Sequence, residues 1–255
     1  MSPLRLARRR LARRVDLAPM TPLEQVRAGR TGLRLTQLLV GLVLYGVSMA
    51  MLLRSTLGLD PWDVFHQGIQ THWGVSFGTV VIVTSFVVLL LWVPLRQWPG
   101  LGTLLNAIVI GLATDATLRQ LAAPEHLGGR WSLLLGGIVL NGLAGALYIG
   151  SQFGPGPRDG LMTGLARRTG RSIRLVRTIL ELTVLALGWV LGGTVGVGTV
   201  LYAVLIGPIV QLFLPILTVH LPSAAQDLAG PDSVAPGLPV DGQHEREDVA
   251  GSRPA

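Results

Sequence analysis

GPGPRDGLMTG (residues 154–164) interrupts a chain otherwise made of long runs of Leu, Val, Gly and Ala. Gly and Pro prevent an ordinary helix through its first half, yet a charged pair, Arg158 and Asp159, stands inside it. Displaced by 96 residues lies GLDPWDVFHQG (58–68), with Gly, Pro, Asp and Gly at matching places. The match extends without a gap. LLVGLVLYG (38–46) meets LLGGIVLNG (134–142), and GLGTLLNAIVIG (100–111) meets GVGTVLYAVLIG (196–207). Roughly a third of about 75 aligned positions are identical, and the Pro61/Pro157, Asp63/Asp159 and Gly-Thr matches are not generic apolar coincidences.

The composition says what such a repeat is made for. Of 255 residues, 49% are hydrophobic and only 14% are charged, against about 25% charged in soluble domains. Six apolar runs fall at 35–53, 77–95, 101–121, 131–152, 176–193 and 197–219, each near the length that crosses a bilayer core. The expectation is an all-α membrane protein with six transmembrane helices. They form two repeats, 35–121 and 131–219, each with a short helix after its first span. Three spans per repeat invert the second copy relative to the first, an arrangement that recurs in secondary transporters.

All basic side chains are Arg, and Lys is absent. Nine Arg precede the first span through Arg34, six lie in 153–177 and one is Arg96, while the remaining links hold Arg54, Arg119 and Arg130. With six spans the Arg-rich segments share one side, so both termini are expected to be cytoplasmic. The arm 1–34 is read as a basic segment able to lie on anionic lipid. No apolar stretch follows its basic start soon enough for a secretory signal. The tail 220–255 is polar and rich in Pro and Gly, and reads as disordered. Cys is absent, which excludes disulfides and thiol catalysis.

Within DPWD, Asp60 suits a helix cap and Pro61 its first turn, and Asp63 near the third position can accept backbone N–H bonds. Gly156, Pro157 and Asp159 repeat the pattern with Gly in place of the capping Asp. Each copy predicts a bend and a short helix ending near Gly74 or Gly170, with the two motifs on opposite faces of the membrane and each helix either interfacial or dipping into the bilayer as a half-helix. Asp63 and Asp159 are either caps or direct ligands, and both readings stand. Ionisable groups at membrane depth are functional candidates. Asp115 lies in the third span, one helical turn before Arg119. Glu181 lies in the fifth, where Arg177 at i−4 gives either a structural ion pair or part of an ion path. Asn106, Asn141 and Tyr202 read as hydrogen-bonding partners between helices, with Asn106 also a candidate on the path. Trp62, Trp73, Trp92, Trp98, Trp131 and Trp189 mostly fall near predicted span ends, as interfacial anchors do. Pro208 and Pro215 are candidate breaks in the sixth span. His66 and His72 do not share a helical face, so no metal pair is expected.

At GLDPWDVFHQG, at GPGPRDGLMTG with its following Arg174, Arg177 and Glu181, and at GVGTVLYAVLIGP (196–208), the chain resembles the YczE/YyaS/YitT family of bacterial integral membrane proteins. The likeness covers about residues 35–219. It implies a multi-pass protein of the bacterial inner membrane and no established catalytic residue. No Ser/His/Asp order, zinc-protease motif, P-loop or dinucleotide fingerprint occurs, so no enzyme activity, cofactor, metal or nucleic-acid partner is expected. The leading expectation is a small permease for a small molecule or ion. Asp63 and Asp159 would be paired helix-start groups, with Asp115 or Glu181 as ion-sensitive carboxylates. The alternative is a non-transporting scaffold or regulator that works through its arm and tail.

Overall fold

The computed structural model describes residues 22–221. Most of the basic arm and nearly all of the polar tail therefore lie outside the described residues. Among those described there are nine α-helices and no strand. They are α1 Pro22–Arg27, α2 Thr31–Ser55, α3 Pro61–Trp73, α4 Phe77–Trp92 and α5 Leu101–Leu118, then α6 Leu127–Gly150, α7 Pro157–Thr169, α8 Ile173–Val190 and α9 Val197–Leu217. Helices α2 to α5 begin 96 residues before α6 to α9, element for element.

The local chemistry at these boundaries is shared. Ser76 and Ser172 cap α4 and α8 by accepting the backbone N–H of Thr79 and Leu175, the role small hydroxyl residues fill at helix starts. Gly74 and Gly170 end α3 and α7 at a left-handed φ of 66°, a conformation Gly adopts without a Cβ penalty. The bends before the short helices also match. Thr56 and Gln152 have φ of 56° and 57°, and Gly58 and Gly154 have φ of 122° and 103°.

Helices α2, α5, α6 and α9 are long and apolar enough to cross a membrane. Helices α3 and α4 meet at 113° and together make a fifth candidate as one broken span. Helix α8 is as long as α5 but carries three charged side chains, Arg174, Arg177 and Glu181, and is not among these candidate spans. Its start at Ile173 lies earlier than the apolar run suggested, because Ser172 caps it and Arg174 in its first turn is exposed. Pro208 and Pro215 do not break α9, which runs through both.

The core is the crossing of α2 with α6, flanked by α5 on α2 and α9 on α6. Small residues allow these approaches. A Cβ on Gly41 would lie 2.9 Å from the Tyr148 backbone nitrogen, and one on Gly142 would lie 2.4 Å from Ile209. The short helices pack crosswise, α3 against α8 and α7 against α4. At those seams the sizes are exchanged. Trp92 of α4 lies against Gly160 of α7, whereas Gly188 of α8, at the position equivalent to Trp92, lies against Val64 and Phe65 of α3. Trp92 is 1% exposed and Trp62 is buried. Both are therefore interior side chains rather than the interfacial anchors the sequence suggested, while Trp73, Trp98 and Trp189 are exposed.

One asymmetry stands out. Helices α4 and α5 pack closely, but their counterparts α8 and α9 barely touch. Gly111 of α5 meets the Gly78 backbone and Ile82, whereas Gly207, its equivalent on α9, has open space.

Candidate functional site

Each bend before a short helix is held by the opposite half of the chain. The Gly198 N–H donates to the Leu57 carbonyl at 2.8 Å, and the Gly102 N–H donates to the Phe153 carbonyl at 3.0 Å. Gly58 must be Gly here, because a Cβ would lie 2.8 Å from the backbone nitrogens of Gly196 and Thr199. The start of each long last helix thus fixes where the other half's short helix begins.

Both short helices begin buried and end exposed. Their N-terminal ends meet. Arg158 Nη1 lies 3.8 Å from Asp60 Oδ1, and the Arg158 guanidinium carbon is 5.7 Å from the Trp62 ring centre. This corrects the expectation that the DPWD and GPRD motifs lie on opposite faces. Only the exposed C-terminal ends of the two helices are free to point apart.

Between the two starts is a cavity of about 100 Å³. Asp60, Pro61 and Trp62 line it from α3, and Gly156, Pro157, Arg158, Asp159 and Met162 from α7. Tyr45, Asn106, Ile110, Tyr148, Arg177, Glu181 and Tyr202 complete the wall. The cap differs between the halves. Asp60 Oδ1 accepts the backbone N–H groups of Trp62 and Asp63 at 2.8 and 2.9 Å. Gly156, at the equivalent place, leaves the first turn of α7 without a side-chain cap.

The wall is polar and largely knitted. Tyr148 donates its hydroxyl to Asp159 Oδ2 at 2.6 Å. Arg158 donates to the Tyr45 hydroxyl at 3.2 Å. Arg177 and Glu181 form the i, i+4 pair at 2.8 Å, at a partly exposed place on the rim. Tyr202 donates to Asn141 Oδ1, and Asn141 Nδ2 donates to Ser48 Oγ, both at 2.8 Å, which is the bonding between helices expected of them. Two polar atoms remain buried without partners in this wall, Asp60 Oδ2 and Trp62 Nε1.

Of the residues singled out from sequence, Asp60, Pro61, Asn106, Gly156, Pro157, Asp159, Arg177, Glu181 and Tyr202 share this cavity. Asp63 does not line it. Its carboxylate accepts no backbone N–H but faces His66 Nδ1 at 3.3 Å, because Asp60 already takes the free N–H groups of that turn. Asp115 is placed elsewhere as well. It accepts the Gly78 N–H at 2.7 Å and the Ser76 hydroxyl, tying the start of α4 to α5. Sequence reasoning assigned no role to Arg158, Tyr45 or Tyr148, and it read Trp62 as an interfacial anchor. The available signal was the repeat itself, since Trp62/Arg158 and Asn106/Tyr202 are equivalent positions that are polar or aromatic in both copies.

The family described as Family of unknown function (DUF6198) matches residues 32–215. The chain belongs to the DUF6198 family. An uncharacterized protein of Haemophilus influenzae is 44% identical over 187 residues, 72% of this chain and 86% of that one. The uncharacterized membrane protein YczE of Bacillus subtilis is 36% identical over 186 residues, 72% of this chain and 86% of its own length. The uncharacterized protein YyaS of the same organism is 28% identical over 185 residues, covering 71% and 92% respectively. No solved structure matches the chain. The shared region contains both short helices and every cavity residue. With its apolar helices, the chain is a multi-pass helical membrane protein.

Proposed function

We propose that this DUF6198 protein is a small permease, not an enzyme, made of two three-span repeats in opposite orientation that expose one central site alternately to each side of the bacterial inner membrane. The observation that carries the reading is the meeting of two equivalent half-helix starts at one polar cavity, since half-helix ends at mid-depth are where transporters bind their cargo. The 96-residue spacing of all eight equivalent helix starts supports the duplication. The asymmetry of the seams supports a two-state device: α4–α5 is shut and α8–α9 is parted. On the Arg distribution we read the parted seam as the cytoplasmic one, with Arg177 and Glu181 of α8 lining the cavity beside it.

Cysteine labelling tests the orientation, and the chain contains no native Cys to interfere. Trp73→Cys and Arg167→Cys mark the exposed ends of α3 and α7. An impermeant thiol reagent added to intact cells is expected to label the first, and the second only after permeabilisation. Labelling of both from the same side would mean parallel repeats and would remove the basis for alternating access.

On this reading Asp115 latches the outer seam. Its two bonds to the start of α4 resemble a helix cap, worth about 1 kcal/mol. Asp115→Ala is therefore expected to raise outward exposure of the cavity by about fivefold. The measurement is the rate at which Asn106→Cys reacts with an external reagent, with and without the Asp115 change. An unchanged rate would remove Asp115 from the gate.

A further inference from the structure

The two halves differ at the caps of their short helices, and that difference lies in the cavity. Helix α3 begins with a carboxylate on its free N–H groups, supplied by Asp60. Helix α7 begins with the same backbone shape, φ −64° and ψ 163° at Gly156 against −65° and 160° at Asp60, but with no carboxylate on the cap residue. The positive end of a helix favours an anion. Next to this one, where α3 has Trp62, stands Arg158, whose planar fork of donors matches a carboxylate. Independently, Trp62 is 6% exposed and lines the same cavity, and its Nε1–H has no acceptor. The Asn106 amide lies beside Gly156, its Nδ2 being 3.3 Å from where a Cβ would stand.

We infer that the cargo of this site is a small monocarboxylate, whose carboxylate occupies at Gly156 the place that Asp60 fills on α3. The assignment of a cargo rests on the permease reading above; the binding chemistry does not. The acidic groups already present do not fill the place. Asp60 is bound to its own helix turn and faces Arg158, Asp159 accepts from Tyr148, and Glu181 pairs with Arg177. A volume of about 100 Å³ holds several water molecules, which limits the ligand to the size of acetate, lactate or glycine.

The test is thermal unfolding of the purified full chain in detergent, with sodium acetate, lactate or glycine compared with sodium chloride and sulfate at matched ionic strength. At least one carboxylate is expected to raise the midpoint by a few degrees through preferential binding to the folded state, and chloride and sulfate are not. Gly156→Asp supplies the missing carboxylate from the chain. A Cβ there meets only side-chain ends, Asn106 Nδ2 at 3.3 Å, which can turn aside, and Asp159 Oδ2 at 3.4 Å, an ordinary contact that leaves its Tyr148 bond in place. This variant is expected to start with a higher midpoint than the wild type and to lose the carboxylate response. Arg158→Gln is expected to fold and to lose the same response, and it decides the matter alone if Gly156→Asp does not fold. The inference is overturned if no carboxylate shifts the midpoint, if chloride shifts it equally, or if the response survives in the folded variants. Uptake of labelled acetate, lactate or glycine by proteoliposomes is read separately. A carboxylate response without flux keeps the binding site and defeats the permease, whereas carboxylate-insensitive flux of another solute keeps the permease and defeats the carboxylate.

Discussion

Gly188→Ala is expected to leave little folded protein. A Cβ on Gly188 would stand 2.4 Å from the Phe65 backbone nitrogen and 2.6 Å from the Phe65 Cα and the Val64 carbonyl carbon. Ordinary contact begins near 3.4 Å, so α3 and α8 would have to separate by about an ångström. Backbone cannot rotate out of the way as a side chain can. The next glycines allow no slack, since Gly68 would meet the Gly188 carbonyl at 2.8 Å and Gly193 the Val64 carbonyl at 2.1 Å. The expected cost is at or above the roughly 3 kcal/mol that marks severe overpacking. It is read as loss of monodisperse protein and a lowered thermal midpoint.

The equivalent seam makes a sharper comparison. Gly160→Ala would meet the Trp92 ring at 2.0 Å, a clash of similar size but against a side chain. Trp92→Phe in that background frees the space at the cost of the Trp92 Nε1 bond to the Pro157 carbonyl, and is expected to restore much of the lost stability. No side-chain change should rescue Gly188→Ala. Gly207→Ala, which meets nothing within 4 Å, is the neutral control. Equal tolerance of all three glycine changes would show that the crossed packing of the short helices is looser than these distances require.

This exchange of large and small residues also shows where sequence reasoning stopped. The repeat, the short helices and their glycine ends were legible because Pro61/Pro157, Gly74/Gly170 and Ser76/Ser172 fix local backbone, and local backbone is what a self-alignment compares. The meeting of the two helix starts was not legible. It depends on Leu57 and Phe153 each accepting a bond from the opposite half, and those carbonyls carry no side-chain signal. The carboxylates diverged for the same reason. Asp63 and Asp159 are equivalent by number, but Asp63 faces His66 where the second copy has Met162, and Asp159 meets Tyr148 where the first copy has Leu52. Equal position did not give equal surroundings, and the function of each carboxylate follows the surroundings.

Arg34→Met is expected to be the most damaging change remote from the cavity. Arg34 is fully buried. Its guanidinium donates to three carbonyls at short range, Gln25 at 2.7 Å, Ser151 at 2.8 Å and Gln152 at 2.7 Å, and to a fourth, Gly29, at 3.4 Å, and its carbon lies 4.3 Å from the Phe153 ring centre. It thereby ties the end of α1 to the last turn of α6 and to the bend that leads into α7. A cation at a helix C-terminus also meets the negative end of the helix. Met fills most of the volume but donates nothing, leaving three carbonyls to find other partners at roughly 1–3 kcal/mol each where they stay dry. The thermal midpoint should fall steeply, and trypsin should cut after Arg27 and Arg30 much faster than in the wild type. Arg34→Lys separates charge from geometry. One ammonium cannot span three carbonyls in two segments, so Lys should recover only part of the loss. Full recovery by Lys would mean that the charge at the end of α6, rather than the bridge to α1, holds this corner, and faster trypsin cleavage at an unchanged midpoint would mean that α1 is held by Arg34 but does not stabilise the bundle.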